Sequence, residues 1–172
     1  MNRPKVFPTS TGLALDWGRI FHMDRVDRAI LAELQSDGRL TITELAERVG
    51  LSVSPCHRRL RALERSGAIA GYRAELDAAV LGLAFEALVF VTMRGADRTT
   101  VDDFETAVAG VANVVRADRL FGDPDYLLRV LAADLTAFQE LYDEQLSTLP
   151  GVQRLTSTLV MKSVVADQPL PV

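Results

Sequence analysis

A helix that begins at Thr41 has to end by Gly50, and a new helix begins two residues later at Ser52. Thr41 and Glu44 have the spacing of a capping box, in which each side chain accepts a hydrogen bond from the backbone N–H of the other residue. Gly50 suits the left-handed conformation that closes a helix, and Ser52 suits the N-cap of the next one. Two helices joined by so tight a turn predict a helix-turn-helix motif.

A further helix is predicted before this motif, and a strand is predicted after it. Val26, Ile30 and Leu34 recur every four residues from Asp24 onwards, which indicates an amphipathic helix. The motif's second helix should end at Gly67. Residues 68–72 then read as a short strand, the start of a wing.

The second helix of the motif has an apolar face and a basic face. Its apolar positions are Val53, Cys56, Leu60 and Leu63. Such a helix fits the major groove of DNA, where its first residues reach base edges and later arginines meet phosphates. The residues predicted to contact DNA are Ser52, Ser54, His57, Arg58, Arg59, Arg61 and Arg65.

A solvated surface is the ordinary role of a charged helix face, but the capping box, the glycine turn and the distribution of charge together favour DNA binding here. The whole chain has a net charge of −4, but residues 52–73 carry five arginines and one glutamate. Residues 24–73 carry nine arginines and seven acidic residues, whereas residues 74–172 have a net charge of −8. A basic front half and an acidic back half predict two modules with different partners.

Several classes of protein are excluded by what the chain lacks. One cysteine, Cys56, and two histidines, His22 and His57, exclude a disulfide and the Cys-rich or His-rich zinc sites. No nucleotide-binding glycine motif is present, so neither a cofactor nor a metal is predicted. No apolar run approaches the length that spans a bilayer. We therefore expect a cytoplasmic protein without a membrane partner, in which Cys56 is a buried apolar residue.

The back half predicts a sheet with two unequal faces. Residues 85–93 form a strand whose odd-numbered side chains are apolar, while Leu88 and Phe90 make the opposite face partly apolar as well. A strand that is apolar on both sides is buried on both sides. One face can take the helices of this module, which leaves the other face for a second copy and predicts a homodimer.

The remaining elements complete a β-α-β-β-α-β order, the ferredoxin-like arrangement. The predicted fold class is therefore α+β. The predicted elements are a helix capped by Thr99 or Thr100 and ending at Ala109, a strand at 111–120, a turn at 122–125, a strand at 126–131, a helix from Asp134 to Leu149 and a strand at 152–165.

The two halves together resemble one known family. DRVDRAILAELQSDGRLTITELAERVGLSVSPCHRRLRALERSGAIAGYRAELD is similar to the winged helix-turn-helix module of the Lrp/AsnC transcriptional regulators. LGLAFEALVFV, FGDPDYLLRV and LPGVQRLTSTLVMKSV are similar to that family's RAM domain. The organisation that the resemblance implies is a leader or arm at 1–23, the DNA-binding domain at 24–73, a linker at 74–83, the RAM domain at 84–166 and a tail at 167–172. Met23 as the true start and a genuine N-terminal arm both stay open.

The resemblance also implies partners. Members of the family bind pseudo-palindromic promoter sites on double-stranded DNA, form homodimers that assemble into tetramers, octamers or larger particles, and often respond to a free amino acid or a related metabolite. In the family the effector lies between RAM domains. The residues that match its pocket are Gly122, Asp123, Asp125, Tyr126, Thr156, Ser157 and Thr158.

Chemistry supports such a pocket. An amino acid needs a carboxylate for its ammonium group, which Asp123 or Asp125 supplies, and donors for its own carboxylate, which Gly122 N–H and the threonine and serine hydroxyls supply. Asp-Pro-Asp is equally ordinary turn chemistry. The alternative functions are an architectural DNA-binding protein without an effector, an adaptor that senses amino acids, and an enzyme, which the lack of His and Cys in the back half disfavours.

Overall fold

The computed structural model describes residues 23–95, 97–165 and 168–172, which form two compact units. The first unit contains residues 23–73 together with the C-terminal residues 168–172, and the second contains residues 74–165. The predicted leader at 1–22 lies outside the described residues. Within the described ranges, no helix is long and apolar enough to cross a membrane.

Three helices form the first unit, and their ends follow the predicted caps. They are α1 (Arg25–Ser36), α2 (Ile42–Arg48) and α3 (Val53–Ser66). The capping box of α2 is confirmed, since Thr41 N–H donates to Glu44 Oε2 at 2.8 Å and Glu44 N–H donates to Thr41 Oγ1 at 3.3 Å. Gly50, with φ 68°, takes the left-handed conformation that turns the chain from α2 towards α3.

A small apolar core joins the three helices. Ile30 of α1, Leu45 of α2 and both Cys56 and Leu63 of α3 are almost fully buried in it. Burial raises the pKa of the Cys56 thiol. The thiol therefore stays protonated and unreactive, in line with the predicted role of Cys56 as a small apolar residue.

Two predictions for the first unit are wrong. Residues 68–72 form no strand, because the residues after them do not return as a partner strand: the Asp77 carboxylate instead accepts the N–H groups of Ala79 and Val80 and starts a turn that ends at Gly82. Val53 is 44% exposed rather than buried. As the first residue of α3, it has no preceding helical turn to pack on.

The C-terminal residues bind to α1. The Gln35 side-chain amide accepts a hydrogen bond from Leu170 N–H at 2.6 Å and donates one to Leu170 O at 3.2 Å. A single side chain thus pairs with both backbone groups of one residue, as a neighbouring strand would. This contact makes both ends of the described chain part of the first unit.

The second unit is a four-stranded antiparallel sheet in the order β2-β3-β1-β4. β1 pairs with β3 on one side and with β4 on the other. The β-α-β-β-α-β order is confirmed by its elements, which are β1 (Phe85–Met93), α4 (Arg98–Ala109), β2 (Val114–Arg119), β3 (Tyr126–Ala132), α5 (Leu135–Leu141) with a π-helical turn at Tyr142–Leu146, and β4 (Val152–Leu159).

Helices α4 and α5 cover one face of this sheet. The predicted helix residues Phe104 and Phe138 are buried there with the odd-numbered residues of β1 and the even-numbered residues of β3. The pKa of the buried Tyr126 is raised to about 12, because burial and the hydrogen bond to Glu105 both oppose its ionisation. The alternation of each strand therefore decides which side chains enter this core.

Several predicted boundaries in this unit are wrong, and the helix predicted to run to Leu149 ends with the π-helical turn at Leu146. Asp97, not a threonine, caps α4; its carboxylate accepts from Thr100 N–H at 3.0 Å and from the Thr100 hydroxyl at 2.6 Å. β2 begins at Val114, because residues 111–113 still form the turn that leaves α4. β4 ends at Leu159, which pairs with Ala87 near the start of β1.

The other side of the sheet, which we call the open face, carries no helix of this unit. Leu88 and Phe90 of β1 and Leu127 of β3 are half-buried there. Glu86 and Arg129 form a two-point ion pair on the same face, with nitrogen–oxygen distances of 2.7 and 3.1 Å. The open face therefore has an apolar centre with this ion pair beside it.

Candidate DNA-binding surface and effector site

The basic face of α3 is exposed along the length of the helix. Cys56 and Leu63 hold the opposite side of α3 in the core. Six of the seven predicted DNA contacts are exposed, and five of them share one side of the helix at helical spacing. These six are Ser52, Ser54, His57, Arg58, Arg61 and Arg65.

Arg59 differs from the other predicted contacts because its guanidinium forms ion pairs with two residues of the same unit. Its guanidinium lies 2.8 Å from Asp24 Oδ2 and 2.9 Å from Asp27 Oδ1. Asp24 and Asp27 also form the capping box of α1, each accepting a backbone N–H of the other. Arg59 therefore joins α3 to the start of α1, and we remove it from the proposed DNA contacts.

The same cluster shifts the pKa of Asp24. The Asp27 N–H donates to the Asp24 carboxylate, and Arg59 lies beside it, so the pKa of Asp24 is held below its usual range. The carboxylate is thus charged at neutral pH, as the ion pair requires.

Arg61 is partly held by neighbours on the surface of α3. It donates to Glu64 Oε2 at 2.9 Å and to His57 Nε2 at 3.4 Å, and Glu64 also accepts from the Tyr72 hydroxyl at 3.3 Å. These contacts orient the Arg61 guanidinium along the helix without burying it. In the part of the chain that the structure describes, no carboxylate pairs with Arg58 or Arg65.

The beginning of α3 is open as well. Ser52 occupies the N-cap position, but its hydroxyl makes no capping hydrogen bond, contrary to the prediction. The hydroxyl is therefore free to bind elsewhere. Val53 lies beside it as an exposed apolar side chain. Sequence reasoning placed Val53 in the core and so missed it as a surface residue.

The predicted effector residues fall on two faces of the second unit. Thr156 pairs with Phe90 and Thr158 with Leu88, which puts both threonines on the open face. Ser157 pairs with the buried Val89 and lies on the helix-covered side, as does Tyr126. Strand alternation thus places the predicted effector residues on both faces of the sheet, although several of them are neighbours in sequence.

Within the turn, Asp125 and Asp123 have different surroundings. The Asp125 carboxylate accepts Met93 N–H at 2.7 Å, and Asp125 N–H donates to Val91 O at 2.9 Å. These bonds tie the turn to the end of β1 and give Asp125 a structural role. Asp123 is exposed and contacts only the Thr92 hydroxyl among the described residues, at 3.5 Å. Gly122, at φ 133°, turns the chain into this segment.

Two residues that the sequence did not single out form a polar end of the open face, at the opposite end of β1 from the Glu86–Arg129 ion pair. Arg154 Nη2 donates to Thr92 Oγ1 at 3.5 Å, and Thr92 donates in turn to Asp123. We call these three side chains the polar relay. Thr92 is the next open-face position after Phe90, and Arg154 precedes Thr156 by two residues. Strand alternation, which places every second side chain on the same face, was the sequence signal that could have identified Thr92 and Arg154.

Comparison with known proteins gives a family for both units. Residues 23–70 match the profile described as "Winged helix-turn-helix DNA-binding", and residues 86–170 match "Lrp/AsnC ligand binding domain". The leucine-responsive regulatory protein of Escherichia coli K12 is 40% identical over 142 residues, which cover 83% of this chain and 87% of that protein.

Solved structures agree with these matches. The crystal structure of a Neisseria meningitidis transcriptional regulator in complex with L-methionine has a TM-score of 0.83 and 38% identity, and covers 87% of this chain and 96% of that one. An AsnC family regulator from Agrobacterium tumefaciens has a TM-score of 0.81 and 32% identity, with 87% and 97% covered.

We expect Arg59→Ala to destabilise the first unit. The change leaves the largely buried Asp27 without its cation, so the local free energy of unfolding should fall by about 1–3 kcal/mol. Because the pKa of Asp24 is lowered by folding, its stabilisation is present above its unfolded pKa of about 4 and is lost as the pH falls. The free energies of unfolding of Arg59→Ala and of the unaltered protein should therefore converge at acid pH.

Hydrogen exchange of the α1 and α3 amides measures this local free energy. The matched control is Arg58→Ala, which removes an exposed arginine from the same helix and should change the value by less than about 0.5 kcal/mol. Equal exchange in Arg59→Ala and in the unaltered protein would contradict a structural role for Arg59.

Proposed function

The chain belongs to the Lrp/AsnC family and is a DNA-binding transcriptional regulator with a ligand-binding domain, and we propose that the basic face of α3 reads its operator. The observation that carries this proposal is the contrast between neighbouring arginines: Arg59 is bound inside the unit, whereas Arg58 and Arg65 are exposed with no carboxylate partner among the described residues. An unpaired guanidinium is available to a base or a phosphate.

The position along α3 suggests a role for each residue. Ser52, Val53 and Ser54 stand at the end of the helix that enters a groove first, where an exposed valine can meet a thymine methyl group. Arg58, one turn later, is the candidate for bidentate binding to guanine. Arg65, in the last turn, is the candidate phosphate contact.

Replacement of Arg58 by Ala should weaken operator binding by about 1–3 kcal/mol and relax the preference at one base pair per half-site. Replacement of Arg65 by Ala should weaken binding to all sequences alike and lower the salt slope by about one charge. Electrophoretic mobility shift on the chain's own upstream DNA, at two salt concentrations, measures both effects.

The control variant is Arg98→Ala, an arginine at the start of α4 that is 92% exposed and lies in the other unit. It changes the net charge by the same amount and should leave operator affinity unchanged. Unaltered binding by both α3 variants would reject this face as the DNA-binding surface, and an adaptor that works through protein contacts would then be favoured.

We further propose that the open face of the sheet joins two copies of the chain. Leu88, Phe90 and Leu127 form an apolar centre that the helices of this unit do not cover. A second copy would bury it through a two-fold contact, since the same face is present on both chains. Such dimers can assemble further into tetramers, octamers or larger particles.

Phe90→Asp should convert the dimer into a monomer, because the change places a charge at the centre of the apolar contact. Leu135→Asp is the matched control, since Leu135 is 51% exposed and begins α5 on the helix side. Light scattering at micromolar concentration measures the mass of each. A monomeric unaltered protein, or a dimeric Phe90→Asp variant, would contradict this interface.

The effector is proposed to be a free amino acid bound at the polar end of the open face, between ligand-binding domains. The N. meningitidis regulator was crystallised with L-methionine, which supports this class of ligand. Asp123 is the candidate for the ammonium group, with Gly122 beside it in the turn and with Thr156 and Thr158 further along the open face. We omit Asp125, Tyr126 and Ser157, whose side chains have other contacts or another face.

Asp123→Ala should abolish the response to an amino acid and leave basal DNA binding nearly unchanged, because Asp123 lies in the second unit. Operator titrations with and without each of the twenty amino acids measure the response, which should amount to about 1–3 kcal/mol of coupling. Asp125→Asn, which retains the bond to Met93 N–H, serves as a control. If no amino acid changes operator affinity, an architectural protein without an effector is the better description.

The chain's relatives are transcriptional regulators. We therefore propose no catalytic role for it. A DNA-bound regulator works where the chromosome is, so we propose a cytoplasmic location and no membrane partner.

A further inference from the structure

We propose that Arg154, assisted by Thr92, binds the α-carboxylate of the effector and that Asp123 binds its α-ammonium group, so that the polar relay recognises free α-amino acids as a class. The inference rests on the effector proposed above and adds the groups that select it. Arg154 and Thr92 come from two adjacent strands, β4 and β1, and Asp123 from the turn before β3.

The separation of the two charges fits this ligand. Arg154 Nη2 and Asp123 Oδ1 each lie 3.5 Å from Thr92 Oγ1, so they are no more than about 7 Å apart. An α-amino acid that makes a hydrogen bond of about 2.8 Å at each end bridges opposite charges roughly 6–8 Å apart. The upper part of the separation that Arg154 and Asp123 can have therefore suits the ligand.

The contacts of the relay also leave both charges available. No ion pair within 4.0 Å joins Arg154 or Asp123 to another of the described residues, although the two have opposite charges. Both instead contact the Thr92 hydroxyl. A hydroxyl both donates and accepts, so Thr92 can keep one contact and turn the other towards the ligand.

The register of the sheet separates the relay from the side chain of the ligand. Thr156 and Thr158 follow Arg154 on the open face at steps of two residues, or about 7 Å each. Thr158 is thus too far away to share the α-carboxylate with Arg154. The relay reads only the groups that every amino acid has, and the preference for a particular side chain has to come from elsewhere.

Calorimetry on the full chain tests the assignment. Each of the twenty amino acids is titrated first, and the tightest binder is then compared with its methyl ester and its deamino analogue. Arg154→Gln should weaken binding of the amino acid by roughly 10-fold or more, since a charged hydrogen bond is lost. The same change should weaken binding of the ester much less, because the ester has no carboxylate charge for Arg154 to bind. Thr92→Val should cost only a few-fold.

Two controls make the result specific. Arg98→Gln removes one exposed positive charge from the same unit and should bind every ligand as the unaltered protein does. In Asp123→Asn, the affinities for the amino acid and for its deamino analogue should differ less than they do in the unaltered protein. This variant should still bind the amino acid more tightly than its ester. Arg154→Gln that binds the amino acid as tightly as the unaltered protein would overturn the role of Arg154 and leave the effector proposal standing. Absence of binding by any amino acid to the unaltered protein would overturn both.

Discussion

The second unit depends on the pairing of β1 with strands on both of its sides. β1 receives β3 on one edge and β4 on the other, and its alternation sends one set of side chains under α4 and α5. The registers of β3 and β4 against β1 then decide which of their side chains lie on each face of the sheet. The helix-covered core, the apolar centre of the open face and the polar relay at its end are all consequences of how neighbours align with β1.

In the first unit, a comparable role belongs to the contact between Arg59 and the two aspartates that cap α1. One helix end and two ion pairs share the same two carboxylates, so the orientation of α3 is tied to the beginning of α1. The basic face can then stay exposed because Arg59, which lies outside it, holds the helix in place. Stability and the proposed DNA recognition are thus divided between residues that are adjacent in the chain, Arg59 and Arg58.

The local features could be predicted from the sequence, because they depend on residues three or four apart. The α2 capping box, the turn at Gly50 and the limits of β1 belong to this group. The site could be predicted only in part. Asp24 and Asp27 are more than thirty residues from Arg59, so their ion pairs could not be read from helical spacing. Likewise, Thr92, Asp123 and Arg154 are distant in sequence and meet only through the register of the strands.

The hydrogen bonds between Gln35 and Leu170 have a topological consequence. They make the ligand-binding unit an insertion: the chain leaves the DNA-binding unit after residue 73 and comes back to it at residue 168. The inserted unit is therefore joined to its host at both ends, by the backbone after residue 73 and by the two hydrogen bonds that hold the C-terminal segment on α1. A chain segment held at both ends has fewer accessible conformations than one attached at a single end, and here the second restraint lasts only as long as Gln35 and Leu170 stay paired.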